Sequence, residues 1–123
     1  MSTPTNLGFV SFQVSDLSAS RRFYTEVLGF APAVQSPPDA CVFVTQSGAA
    51  FAIRKPLVDL QESTRLGWGI SLWFAVPNLT AFLQGISEQV QVVRGLQLSP
   101  FGNTAVIADL DGYWLTLQEM PAA

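Results

Sequence analysis

Apolar and polar positions alternate from the start of the chain. Over residues 7–14, Val10, Phe12 and Val14 fall on one side of an extended segment, and Phe9, Ser11 and Gln13 on the other. The period then lengthens. Leu17, Tyr24 and Leu28, with Phe23 and Val27 beside them, form an apolar stripe at helical spacing. Ser15 or Asp16 stands where a side-chain oxygen can accept the first unpaired helix amides. Gly29 supplies the stop. Three short strands are expected next, over about 30–34, 41–45 and 49–54, separated by "QSPPDA" and "QSG". Residues 55–69 mix proline, charge and glycine without a clean period, and read as a connection.

The same pattern then returns. Shifted by 62 residues, Val10 falls on Leu72, Phe12 on Phe74, Val14 on Val76, Asp16 on Asn78 and Leu17 on Leu79. Asn78 is again a good helix cap. Leu79, Phe82, Leu83 and Ile86 follow at helical spacing, and strands are expected near 91–94, 104–108 and 113–118. Asp111-Gly112 is turn chemistry, because glycine accepts a positive φ without a steric penalty. The chain therefore reads as one α+β domain of two βαβββ modules, about 7–54 and 70–119, joined by 55–69. Each module has a sheet face not covered by its own helix, and bringing the two sheets together would enclose a cleft.

Composition narrows the chemistry. Among 123 residues, 49% are apolar, which is enough for a real core, and the net charge is −3 with no basic cluster of the kind nucleic acid requires. No apolar run approaches the roughly 18–20 residues of a membrane span. "MSTPTN" lacks the charged and apolar regions of a signal peptide, so a cytoplasmic location is expected. The single cysteine, Cys41, excludes an intrachain disulfide and sits in the apolar run "ACVFV", as a small core residue would. There is no histidine. The commonest general base and the commonest metal ligand are both missing, so neither a Ser-His-Asp nor a Cys-His site can be built.

The motif Asp16-Leu17, Ser20, Phe23-Tyr24, Leu28-Gly29-Phe30, with Asp109-Leu110-Asp111-Gly112 near the end, resembles the vicinal oxygen chelate superfamily over about residues 7–119. That group includes glyoxalase I, extradiol dioxygenases, fosfomycin-modifying enzymes and bleomycin-resistance proteins. The resemblance implies paired βαβββ modules, a cupped mixed sheet with helices outside, a binding site within the cup, and a homodimer. It also implies inward-facing metal ligands, which in its enzymes are His, Glu or Gln. The matching positions here are Phe9, seven residues before Asp16, its counterpart Ser71, and Thr116, seven after Asp109, with a fourth near Ala52. Phenylalanine and alanine cannot coordinate, and neutral hydroxyls are poor ligands for transition metals. No metal or other cofactor is therefore expected.

Strand parity then defines an inner face carrying Phe9, Ser11 and Gln13 from the first module. From the second it carries Ser71, Trp73, Ala75, Trp114, Thr116 and Gln118. The opposite parity, including Leu115 and Leu117, is wholly apolar, as a helix-covered face should be. Flat aromatic walls with a few hydroxyls and amides suit a pocket for a planar small molecule. The loop "SPFGN" adds Phe101 and Asn103 as candidate contacts, and Trp68 in the connection either closes the site or anchors the loop. The favoured reading is metal-independent binding or sequestration of a planar aromatic molecule, in the manner of bleomycin-resistance proteins. Two alternatives stand beside it: a glyoxalase- or dioxygenase-like enzyme with atypical metal ligands, and a non-catalytic dimeric module whose cup Trp73 and Trp114 fill.

Overall fold

A computed structural model describes residues 4–100 and 102–120, and the chain divides after Leu60 into two compact units. In the first unit, β1 (Val10–Gln13) runs parallel to β3 (Ala50–Arg54), which pairs antiparallel with β2 (Ala40–Val44). In the second, β4 (Leu72–Val76) runs parallel to β7 (Trp114–Glu119). β7 pairs antiparallel with β6 (Gly102–Ala108), and β6 with β5 (Gln91–Ser99). The sheet orders are β1-β3-β2 and β4-β7-β6-β5. Both sheets are mixed, and the fold class is α+β.

Each unit carries one helix after its first strand. For α1 (Leu17–Arg22), Asp16 is the cap: its Oδ1 accepts from the Ala19 amide at 3.0 Å. For α2 (Leu79–Ile86), Asn78 Oδ1 accepts from the Ala81 amide, also at 3.0 Å. The 62-residue repeat is thus reproduced at the level of individual capping bonds. α1 continues into a π-helical turn, Phe23–Val27, closed by the Leu28 amide on the Phe23 carbonyl. The Thr25 hydroxyl donates to the Arg21 carbonyl at 2.8 Å, taking the acceptor that the Thr25 amide would use in a regular helix. Gly29 follows at φ 83°, where a Cβ would be strained, and ends the helix as expected.

The first unit's core is aromatic. Tyr24, fully buried, meets Phe12 and Phe51 edge-on, with ring centroids 6.0 and 5.7 Å away, and lies 5.8 Å from Phe43. These contacts place Phe12, Phe43 and Phe51 on the helix side of the sheet, leaving Ser11 and Gln13 on the other. Cys41 is buried in this core. In the second unit, Leu115 and Leu117 on central strand β7 are buried, together with Leu79 and Ile86 of α2. The apolar parity of the sequence is the helix-side parity in both units.

Two strand expectations are corrected. Residues 30–34 do not form a strand; they contribute one isolated bridge, Pro32 to Phe43. Pro32 has no amide to donate. The Ala33 amide does reach the Val42 carbonyl, but the Val42 amide is taken by the Ser36 hydroxyl, so no ladder extends. β5 is longer than the expected 91–94, reaching Ser99 through register shifts between Val92, Arg94 and Gln97. Gly95 lies inside the irregular stretch, where the absence of a side chain eases a bulge. Among the described residues no helix is long and apolar enough to cross a membrane.

Candidate functional site

The sheet face of the second unit opposite α2 collects most of the sequence-derived candidates. Trp73 pairs in register with Thr116, and Ala75 with Gln118. Ser71 precedes β4 by one residue, level with Trp114. Trp73 and Trp114 are therefore diagonal neighbours across a parallel strand pair, within reach of large side chains. Neither indole is packed away: they are 44% and 46% exposed. Across β6, Thr104 is level with Gln118, Val106 with Thr116 and Ala108 with Trp114, and all three are buried. The face is thus a firm sheet surface on which two indoles stand beside a hydroxyl and an amide.

The connection folds back onto this face and brings Trp68, for which the sequence left site closure and loop anchoring open, to Trp114. Trp68 meets Trp114 edge-on, with centroids 6.1 Å apart and planes at 81°. The Arg65 guanidinium lies in the corner they form, 4.1 Å from the Trp68 ring centroid and 4.4 Å from that of Trp114. Such cation–π contacts contribute about 0.5–1 kcal/mol each at exposed sites. The backbone is held by the Ile70 amide on the Gly67 carbonyl and by the Ser63 hydroxyl on the Arg65 carbonyl. Gly67 has φ 70°, and a Cβ there would stand 2.8 Å from Cδ1 of buried Tyr113, so both conformation and proximity require glycine. Tyr113 begins β7's approach at the Asp109 turn, where Asp109 Oδ1 accepts from the amides of Asp111 and Tyr113. Burial, with the nearby charges of Asp109 and Asp111, raises the Tyr113 phenol pKa above its usual value. The phenol thus stays neutral and serves as packing for the loop that carries Arg65 and Trp68.

The remaining candidates lie elsewhere. Phe9 stands just ahead of β1 and is 60% exposed, with Ser11 exposed on the strand itself. Gln13 is engaged structurally: its Oε1 accepts from the Leu57 and Val58 amides at 2.6 and 3.3 Å, pinning the start of the connection. Asn103 takes the opposite parity to Thr104 and sits on the helix side. Its Nδ2 donates to Glu119 Oε2, while Glu119 Oε1 accepts from the Leu79 amide. Asn103 and Glu119 thus fasten α2 to the sheet. Phe101 lies outside the described residues. A shallow depression of about 300 Å³ in the first unit, lined by Leu17, Arg21, Pro32 and Cys41 among others, holds no aromatic side chain. The clustered indoles, rather than that hollow, offer recognisable binding chemistry.

A sequence profile of the glyoxalase/bleomycin resistance protein/dioxygenase superfamily matches residues 6–117. The chain belongs to this superfamily. Its fold is shared with a glyoxalase-related enzyme from Fulvimarina pelagi, at 25% identity and TM-score 0.74, covering 96% of this chain and 90% of that one. It is shared also with a glyoxalase/bleomycin resistance protein from Catenulispora acidiphila, at 22% identity and TM-score 0.68, covering 96% and 100% of the two chains. A third is TnmS3, an antibiotic binding protein from Streptomyces sp. CB03234, at 20% identity and TM-score 0.71, covering 97% and 100%. Among curated proteins none matches the sequence.

Superfamily membership raises the question of a metal, and the residues do not fit one. The registers of β1-β3 and β4-β7 make Phe9 equivalent to Ser71, and Ala52 equivalent to Thr116. The same diagonal step, two residues along the neighbouring strand, leads from Phe9 to Ala52 in the first unit and from Ser71 to Thr116 in the second. The four positions thus offer two side chains without any donor and two neutral hydroxyls. Among the described residues, no three His, Cys, Asp or Glu side chains form a group that could hold a metal ion.

Proposed function

We propose that this protein binds a planar aromatic small molecule without a metal, using the β4-β7 face of its second unit. The observation that carries the reading is the placement of Trp73 and Trp114 on the sheet face that bears Thr116 and Gln118, with Trp68 edge-on to Trp114 and all three indoles at least partly exposed. Indoles give large, rigid contact area at little entropic cost, and the hydroxyl and amide fix orientation. Ligand binding is a role found in this superfamily, and the same fold serves TnmS3, an antibiotic binding protein. What supports sequestration of such a molecule over its chemical conversion is a chain without histidine and, among the described residues, no group of His, Cys, Asp or Glu that could hold a metal ion. The homodimer implied by the superfamily belongs to the same proposal. Leu7, Phe9 and Leu98 are 85%, 60% and 84% exposed, which is apolar surface that a second copy could cover, and light scattering at micromolar concentration reads the state directly.

The test is a screen of planar aromatic natural products by tryptophan quenching, on protein freed of metal by chelation. Saturable binding that is unchanged by adding Zn²⁺, Ni²⁺, Mn²⁺ or Fe²⁺ is the expected result. Binding or turnover that appears only with one of these ions, held at one per chain, would overturn the proposal in favour of a metal-dependent enzyme.

A further inference from the structure

We infer that the ligand of the indole face carries an anionic group, a carboxylate on its aromatic ring, and that Arg65 is the residue that selects for it. The inference rests on the small-molecule reading above and adds the chemical class of the ligand. The guanidinium sits 4.1 and 4.4 Å from two indole centroids whose planes are nearly perpendicular. Two rings therefore restrain it, although the side chain is exposed. Rings at 81° cannot both stack on the flat faces of one planar guanidinium, so one indole meets an N–H edge, and the edge turned away from the indoles is the part that can pair with a carboxylate in bidentate fashion. Among the described residues the ion pair found is Lys55 with Asp39, and Arg65 takes no part in it.

Position reinforces the chemistry. Arg65 and Trp68 belong to one short loop, fixed by the left-handed Gly67 against Tyr113, so the cation and the indole it stacks on are placed together. A flat ring resting on the indoles beside Thr116 would bring a ring substituent to the guanidinium edge. Prior restraint of Arg65 also reduces the side-chain entropy lost on binding. A cationic ligand would meet Arg65 as a like charge in the corner it already fills.

The experiment compares 2-naphthoate, its neutral analogue 2-naphthamide and the cation 2-naphthylmethylammonium, by calorimetric titration at low ionic strength on the full chain. Naphthoate should bind at least about tenfold more tightly than the amide, a difference of about 1.4 kcal/mol. Arg65→Gln should erase that preference, so that naphthoate and naphthamide bind the variant equally, and Arg65→Lys should retain part of it. Thermal unfolding of the Arg65→Gln protein, compared with the parent, reports that it is folded. Equal binding of acid and amide by the parent protein, or a preference that survives Arg65→Gln, would overturn the inference and leave the small-molecule reading standing. Tightest binding of the ammonium would overturn it by showing that the indoles accept a cation in place of Arg65. If none of the three probes binds, the small-molecule reading itself falls, and this inference with it.

Discussion

Leu115→Ala should lower the unfolding free energy by about 2–5 kcal/mol, the range for truncating a well-packed leucine. The side chain has no exposed surface and lies on β7, the strand between β4 and β6, level with Leu72 on one side and Ile107 on the other. Neighbours held by two strand ladders cannot collapse into the space left behind, so the cavity contribution adds to the lost transfer free energy. Against a typical total stability of about 5–15 kcal/mol, this is a large fraction. Urea denaturation of the purified variant measures it. A change below about 1 kcal/mol would mean that the helix-side face of β7 is not the core of this unit.

Trp114→Ala should weaken binding of a planar aromatic ligand by about 1–3 kcal/mol, as for a central contact residue. Its effect on stability should be much smaller than that of Leu115→Ala, although the two residues are adjacent. The indole is nearly half exposed, and the contacts it loses are the edge of Trp68 and the Arg65 guanidinium. The pair of substitutions therefore separates the two faces of one strand. Calorimetric titration and thermal unfolding of both variants make the comparison. Normal binding by Trp114→Ala, with a loss of stability as large as that of Leu115→Ala, would identify the indole as core.

What the sequence disclosed was local or periodic. The two helix caps, Asp16 and Asn78, depend on bonds three residues long and were legible from residue type and position. The two-sidedness of β7 was legible because a strand alternates strictly, so Leu115 and Leu117 separate from Trp114, Thr116 and Gln118. The misread strand at 30–34 looked apolar and extended, but Pro32 removes a donor and Ser36 takes the Val42 amide, and such a side-chain competitor has no periodic signature. Arg65 was invisible for a different reason. Its partner Trp114 is far along the chain, and only the turn at Gly67 against Tyr113 brings the two together. Asn103 could have been placed better from parity, since it precedes Thr104 and must face the other way. Gln13 shows the limit of parity: it lies on the expected side, yet its amide oxygen secures backbone at Leu57 and Val58.

The most direct test of the central claim uses the three tryptophans as reporters. Each indole N–H gives one resolvable NMR signal, and single Trp→Phe substitutions assign them. With a metal chelator present throughout, titration with a bound planar aromatic molecule should shift the Trp73 and Trp114 signals saturably, along one binding curve. Saturable binding that leaves both signals unmoved would place the ligand away from the β4-β7 face and contradict the account.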